Sequence, residues 1–156
     1  MQLTETLDLK GRLTLQKRNA NGELVEEIAA NNSIVLSGRD LVAKLFIHET
    51  IAPVSHVAVG TGTAAVDPAA NTQLAAEIFR KPIKPIDPTL HLGTTPDNKK
   101  KVTITADLDF LEALGALTEA GLFNAASAGV MYNRVVFPAI NKTDNFKLTL
   151  IWEIIF

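Results

Sequence analysis

Apolar and polar residues alternate along several stretches of the chain, and this period constrains the fold more than any other feature. Side chains of a β-strand point in turn to the two faces of a sheet, so a period of two predicts half-buried strands. The clearest case is 101–110, where one face carries Val102, Ile104, Ala106, Leu108 and Phe110. The same alternation recurs at 7–15, 54–59 and 146–156.

Turn signals separate these stretches. Asn21-Gly22 follows the first strand, and Asn-Gly between apolar runs predicts a hairpin whose second strand begins at Glu23. Further strands are predicted at 116–123 and 130–137, and Pro138 is expected to stop the second of them because proline lacks an amide donor.

One stretch has the helical period instead. Leu41, Val42, Leu45 and Phe46 recur at 3.6-residue spacing, which predicts a short helix over 38–48 with one apolar face. Ser37 is placed to cap its amino end.

The region after residue 81 is predicted to be an extended arm or loop over 82–100. Pro82, Pro85 and Pro88 recur at three-residue spacing, and proline is confined to edge strands or excursions from a sheet. The length of the chain is that of one domain, so 1–156 is expected to form a single domain. The fold class predicted is mainly β: an antiparallel β-sandwich or flattened barrel with one short helix.

Composition narrows the class of protein. Apolar residues make up 47% of the 156 residues, which excludes an intrinsically disordered chain. The apolar runs are far shorter than the roughly 20 residues of a membrane helix, so no membrane partner is expected. The first residues lack a basic segment followed by an apolar one, so no secretory signal is expected.

Charge argues against nucleic acid as a partner. The formal net charge is -2, and the densest basic run, Lys99 to Lys101, adjoins Asp97. A run of this kind is typical of a solvated turn rather than of the clustered basic footprint that binds phosphates. The absence of cysteine excludes disulfides and thiolate metal sites and fits folding in a reducing cytosol.

Motifs for catalysis, metals and cofactors are weak. His48, His56 and His91 are dispersed, so no metal site is predicted. Gly60-Thr61-Gly62 lacks the remaining residues of a phosphate loop and is interpreted as a tight turn at a strand end, so no cofactor is predicted. Asp107 and Asp109 share one strand face and leave two interpretations open: a paired-carboxylate site, or ordinary acids on a solvated face.

One polar set is predicted to have a structural role. Arg80, Glu119 and Arg134 each lie beside apolar segments. A carboxylate among arginines can attach loops to a sheet through bidentate bonds.

Contacts with other subunits are predicted at loop, arm and carboxyl-terminal positions. Trp152 lies on the apolar face of the last strand, where core packing is favoured over an exposed, glycan-binding role. The second face of that strand also becomes apolar near its end, which predicts burial on both faces or a covering partner. The predicted interface residues are Gly60, Gly62, Pro82, Pro85, Trp152 and Phe156.

Several segments resemble parts of tailed-bacteriophage virion structural proteins. They are Asn32-Ser33-Ile34-Val35 with Ser37-Gly38-Arg39-Asp40-Leu41, Val57 to Gly62 with Asn71 to Leu74 and Glu77 to Arg80, Leu117 to Asn124, Val130 to Phe137, and Leu148 to Trp152. In this order they extend over residues 32–152. The long 82–100 segment departs from the pattern, which leaves the position in a particle open.

This resemblance implies a non-enzymatic subunit of a phage tail, baseplate or fibre attachment, or of a phage-tail-like contractile particle. Its expected partners are further copies of itself and other virion or tail proteins, and its expected location is the particle, after synthesis in the bacterial cytoplasm. Two alternatives remain: a capsid decoration (cement) protein, and a receptor- or glycan-binding module.

Overall fold

The structure is a computed structural model that describes residues 9–156. Within that range the chain forms nine strands and two helices. In chain order they are β1 (Lys10–Arg18), β2 (Leu24–Ile34), α1 (Leu36–Phe46), β3 (His56–Gly60), β4 (Glu77–Pro82), α2 (Pro88–His91), β5 (Leu92–Thr94), β6 (Lys100–Leu108), β7 (Gly115–Phe123), β8 (Met131–Lys142) and β9 (Lys147–Ile155).

The strands form one antiparallel sheet that curls into a half-barrel. Their order is β4-β3-β7-β8-β2-β1-β9-β6-β5. Strands β4, β3, β7 and β8 form one half of this sheet and β1, β9, β6 and β5 the other, with β2 between them. Residues from both halves share one apolar core, for example Leu13 and Leu150 with Val57 and Val135. The prediction of a mainly β, antiparallel fold is confirmed.

Strand β9 lies in the middle of one half, between β1 and β6. Its residues pair with β1 from Lys10↔Ile155 to Arg18↔Lys147 and with β6 on the other side. Trp152 has no exposed surface. The prediction of an interface role for Trp152 is therefore wrong. Strand β9 has a neighbouring strand on each side, and the face of β9 that carries Trp152 packs into the core. Phe156 is half-buried, and its backbone exchanges two hydrogen bonds with Lys100.

The Asn-Gly hairpin joins β1 and β2 as predicted. Gly22 has a φ of 79°, which glycine adopts at little cost. Its N–H donates to the carbonyl of Asn19 at 3.0 Å, and the Asn19 side chain accepts from the N–H groups of Asn21 and Glu23. This local network explains why the turn could be predicted from sequence.

Helix α1 begins and ends two residues earlier than predicted. Its amino-terminal cap is Val35, and Ser37 lies in the first turn, so the predicted capping role of Ser37 is wrong. The Ser37 hydroxyl donates instead to the carbonyl of Met131 at 2.7 Å. Gly38 rests against the backbone of Tyr132 with no room for a Cβ. Helix and β8 are thus joined by close backbone contact.

Strand β8 runs through Pro138 to Lys142, so the predicted stop at Pro138 is wrong. The register with β7 shifts there, since Leu117 pairs with Ile140 and Glu119 with Val136. An extra pair of residues on β8 forms a bulge, one of the few places where a sheet accommodates proline.

The segment 82–100 follows edge strand β4 and crosses to the opposite edge of the sheet. The N–H of Lys84 donates to the carbonyl of Thr105 in β6 at 2.8 Å, so the two ends of the curled sheet nearly meet. The segment contains α2, a second helix that the sequence analysis did not predict, and the three-residue β5. Pro82 and Pro85 are exposed. No described helix is long and apolar enough to cross a membrane.

Candidate functional site

The best-defined polar site lies on the outer face of β3, β7 and β8, the face that points away from the main core. A second, smaller apolar cluster sits there, formed by Val35, Ala58, Leu74, Phe123 and Met131. Leu74 belongs to residues 61–76, called here the covering loop, which runs across this face between β3 and β4. The loop therefore has apolar contact with the sheet as well as the polar contacts described next.

Glu119, on β7, anchors the covering loop to the sheet. Its carboxylate is fully buried. Oε1 accepts hydrogen bonds from the N–H groups of Gly62 at 3.1 Å and Ala76 at 2.7 Å, and Oε2 accepts from the N–H of Ala75 at 3.0 Å. The neighbouring Thr118 hydroxyl donates to the carbonyl of Gly62 at 2.7 Å. Both ends of the loop are thus held by one short stretch of β7.

Arg134 completes the anchor from β8. Gly121 pairs with Arg134 and Glu119 with Val136, so the two charged residues are diagonal neighbours on one face. Nη2 lies 2.8 Å and Nε 2.9 Å from Oε2 of Glu119. The remaining donors reach the covering loop, with bonds to the carbonyls of Ala64 and Ala65 and to the side-chain oxygen of Asn71. Four of the five guanidinium N–H groups thus donate hydrogen bonds, and all three nitrogen atoms take part.

The environment of Glu119 keeps its carboxyl ionised. Burial by itself would raise the pKa, but the N–H groups of Ala76 and Ala75 and the Arg134 guanidinium outweigh it and hold the pKa of Glu119 below its usual value. A carboxylate with a lowered pKa and no remaining accessible oxygen is suited to holding structure rather than to accepting a proton from a substrate.

Gly60 and Gly62 allow the loop to approach this carboxylate. A Cβ on Gly62 would lie 2.5 Å from Oε1 of Glu119, and a Cβ on Gly60 would lie 2.6 Å from the same atom and would collide with the carbonyl of Ala76. Gly60 is buried in β3 against Ala76 of the covering loop, and Gly62, itself in that loop, is buried against Glu119 and Ala75. The prediction that they lie at a subunit interface is wrong, because both are buried against other residues of the same chain.

Arg80 is not part of the cluster predicted for it. Its guanidinium forms a two-bond pair with Glu77, at 2.9 and 2.7 Å, and donates to the carbonyls of Ala125 and Ala128. It also stacks on the ring of Phe123 at 3.8 Å. Arg80 therefore attaches the 124–129 turn to β4, while Glu119 and Arg134 attach the covering loop. The predicted set of three is two separate contacts.

The other candidate residues are engaged in local contacts. Asp107 pairs with Lys84 at 2.6 Å and Asp109 with Lys147 at 3.2 Å, so each acid has its own lysine. His56 contacts Ser55, and His91 accepts from the N–H of Asp87. The described residues contain no group of three His, Cys, Asp or Glu side chains placed to hold a metal ion.

Lys142 is a buried polar residue that the sequence analysis missed. Its ammonium donates to the carbonyls of Asp109, Phe110 and Thr143 at 2.9, 3.0 and 3.0 Å, and burial lowers its pKa. Lysine is rarely buried, and because its acceptors here are backbone carbonyls, side-chain spacing in the sequence carries no sign of the contact.

Comparison of the chain with protein-family models, with curated proteins and with solved structures gives no match in any of the three.

Proposed function

We propose that this protein is a non-enzymatic structural subunit of a phage tail or baseplate, or of a phage-tail-like particle, and that it acts by packing against other subunits. The phage setting rests on the sequence resemblance over residues 32–152. Packing as the mode of action is supported by features of the surface.

The observation that carries the proposal is the free edge of β2. Among the described residues, β2 pairs with β8 only at Ser33 and Ile34, although it pairs with β1 from Leu24 to Asn32. The backbone groups along the outer side of 24–32 therefore have no strand from residues 9–156 beside them. An open strand of this length is a ready template for pairing with another chain.

Side chains at the start of this edge fit a contact role. Leu24 is 49% and Val25 56% exposed. The strand carries no Lys or Pro, which are common means of blocking a strand edge, and its charged residues are Glu26 and Glu27. Addition of a strand from a neighbouring subunit would satisfy the backbone and cover both side chains.

The anchored covering loop fits the same role. A loop whose backbone is already bonded to a buried ion pair loses little conformational entropy when a neighbour docks on it. The exposed surface of residues 63–70 is thus presented in one shape. Rigid shape and open edges are what an assembly subunit needs, and neither requires a reaction centre.

Molar mass by light scattering over a wide concentration range tests the proposal. We expect species larger than a dimer, such as a trimer, hexamer or ring, to form as concentration rises. Val25→Lys, which adds a charge beside the β2 edge, should lower the mass, whereas Leu111→Lys should not, because Leu111 is 78% exposed in a loop away from that edge. A wild-type protein that never exceeds a dimer contradicts the proposal.

A further inference from the structure

Helix α1 and its C-cap residue Ile47 carry two apolar stripes. One is buried against the sheet, and the other is exposed apart from Val42, which is half-buried against the main core. The inner stripe contains Gly38 and Leu41, both buried. A second stripe, called here the outer stripe, consists of Val42, Ala43, Phe46 and Ile47. These positions are separated by one, three and four residues, so they share one helix face. Phe46 is 87% and Ile47 66% exposed.

The outer stripe borders a groove of about 370 Å³. Leu9 and Arg39 complete its lining beside the four stripe residues. The phenyl ring of Phe46 stands almost entirely in solvent at its rim. Exposed large apolar side chains grouped beside an apolar groove are typical of a protein–protein contact, whereas single exposed side chains have no such meaning.

Charge favours a second copy of the same helix, in the opposite direction, as the occupant. Arg39 lies at the amino end of the outer stripe, and Glu49 lies just beyond its carboxyl end. An antiparallel two-fold pair would bring Arg39 of each copy towards Glu49 of the other. The charges between them are already paired within the helix, since Lys44 lies 2.9 Å from Asp40.

The remaining geometry fits this symmetry. In a two-fold contact the same patch is used on both subunits, so a projecting group and its receiving groove must occur on one surface. Phe46 is the projecting group, and the lining at Leu9 and Val42 receives it. Ala43 lies midway along the stripe, where a small side chain permits close approach of two helices.

We propose that the outer stripe of α1 is an isologous contact in which two copies pack antiparallel, with Phe46 of each copy in the groove of the other. This inference rests on the proposed function, since it names one of the contacts through which the subunit assembles. It is separate from the β2 edge, which would link such pairs into larger species.

Cross-linking at a single introduced cysteine tests the contact. The chain has no cysteine, so Ala43→Cys provides one unique thiol close to the expected two-fold axis. A short bismaleimide should convert this variant to a covalent dimer. Ala126→Cys is the matched control, because Ala126 is exposed in the 124–129 turn on another part of the surface. We expect at least a tenfold higher dimer yield at position 43.

A second substitution tests whether the yield of covalent dimer depends on Phe46. Phe46→Asp in the Ala43→Cys background should abolish the dimer without lowering the melting temperature, since the replaced side chain is exposed. Leu90→Asp, at a side chain 76% exposed in α2, should leave the yield unchanged. Equal yields at positions 43 and 126, or a yield unaffected by Phe46→Asp, would overturn the inference.

Failure of this contact is distinguishable from failure of the proposed function. Species larger than a dimer without a position-43 cross-link overturn the contact and leave the proposed function standing. A position-43 dimer that never grows supports the contact and contradicts the proposed function. A monomeric Ala43→Cys variant whose introduced thiol is shielded from a maleimide label overturns the contact, because another part of the same chain then fills the groove.

Discussion

Arg134 donates a hydrogen bond from Nε to one carboxylate oxygen of Glu119 at 2.9 Å, and its Nη2 lies 2.8 Å from the same oxygen, where both side chains are buried. The other contacts of the pair all reach the covering loop. A pair of opposite charges placed between a sheet and a loop therefore sets the position of residues 61–76. Loss of either charge should affect the loop and the sheet together.

Removal of the Glu119 carboxylate should destabilise the protein strongly. Glu119→Ala leaves the Arg134 guanidinium buried without a counter-charge and leaves three loop N–H groups without acceptors. The expected loss is about 3–5 kcal/mol of unfolding free energy. Each kcal/mol lost should lower the melting temperature by about 2–4 °C.

Glu112→Ala is the matched control for Glu119→Ala. Glu112 also bonds a cation, Lys81, at 2.7 Å, but on a partly exposed part of the surface. Its loss should cost about 1 kcal/mol or less. Equal effects of the two substitutions in thermal unfolding would contradict the role given to the Glu119–Arg134 pair.

Stability should fall in acid with a contribution from Glu119. Its pKa is lower in the folded than in the unfolded chain, where a glutamate has a pKa of about 4.3. The stabilisation is therefore fully present above the unfolded pKa and is lost as the pH falls through the folded pKa. Urea unfolding of the wild type and of Glu119→Gln between about pH 3 and pH 7 measures this, because the variant should show a shallower decline. Parallel curves would show that Glu119 does not contribute.

Replacement of Gly38 should detach α1 from the sheet. A Cβ at this position would collide with the carbonyl of Tyr132, which is backbone and has little freedom to move. Gly38→Ala should cost about 1–3 kcal/mol, despite the better helix propensity of alanine. Gly93→Ala is the control, since a Cβ there has no atom within 4 Å, and it should change stability by less than about 0.5 kcal/mol. A neutral Gly38→Ala variant would mean that helix and sheet are less closely packed than the structure has them.

Lys142 should be needed for the 109–114 loop to hold its conformation. Lys142→Met keeps the apolar stem but leaves the carbonyls of Asp109, Phe110 and Thr143 without their common donor, at an expected cost of about 1.5–3 kcal/mol. Lys147→Met removes a lysine whose side chain is 45% exposed and should have little effect. Denaturant unfolding of the two variants side by side gives the comparison, and a similar loss for both would be evidence against the buried role.

Much of the local structure could be predicted because its causes are local. The period-two pattern of 101–110 and 146–156 follows from one buried sheet face, and the turn at Asn21-Gly22 follows from backbone preference. The 3.6-residue spacing predicts the helix, although the predicted bounds are two residues late. The prediction assigns the cap to Ser37, whereas tertiary contact directs the Ser37 hydroxyl to β8.

The polar site could be predicted only in part. Glu119 and Arg134 stand out in the sequence as charges beside apolar segments, and the structure brings them together. Arg80 shares that signal but lies beside Glu77, because the path of the chain after the covering loop places it there. The loop donors are backbone N–H groups, and such groups are present at every residue apart from proline, so no side-chain pattern identifies them.

The amino-acid sequence by itself determined that this chain is built from short antiparallel strands with one main helix, since alternation and turn chemistry act within a few residues. Only the tertiary structure decided that β9 lies between β1 and β6, which makes Trp152 a core residue. It also decided that most of the β2 edge has no neighbouring strand within residues 9–156 and that Phe46 and Ile47 are exposed. The physical reason is that burial depends on which distant segment covers a residue. Apolar side chains at Trp152 and Phe46 look alike in the sequence, yet one is enclosed by neighbouring strands and the other stands in solvent.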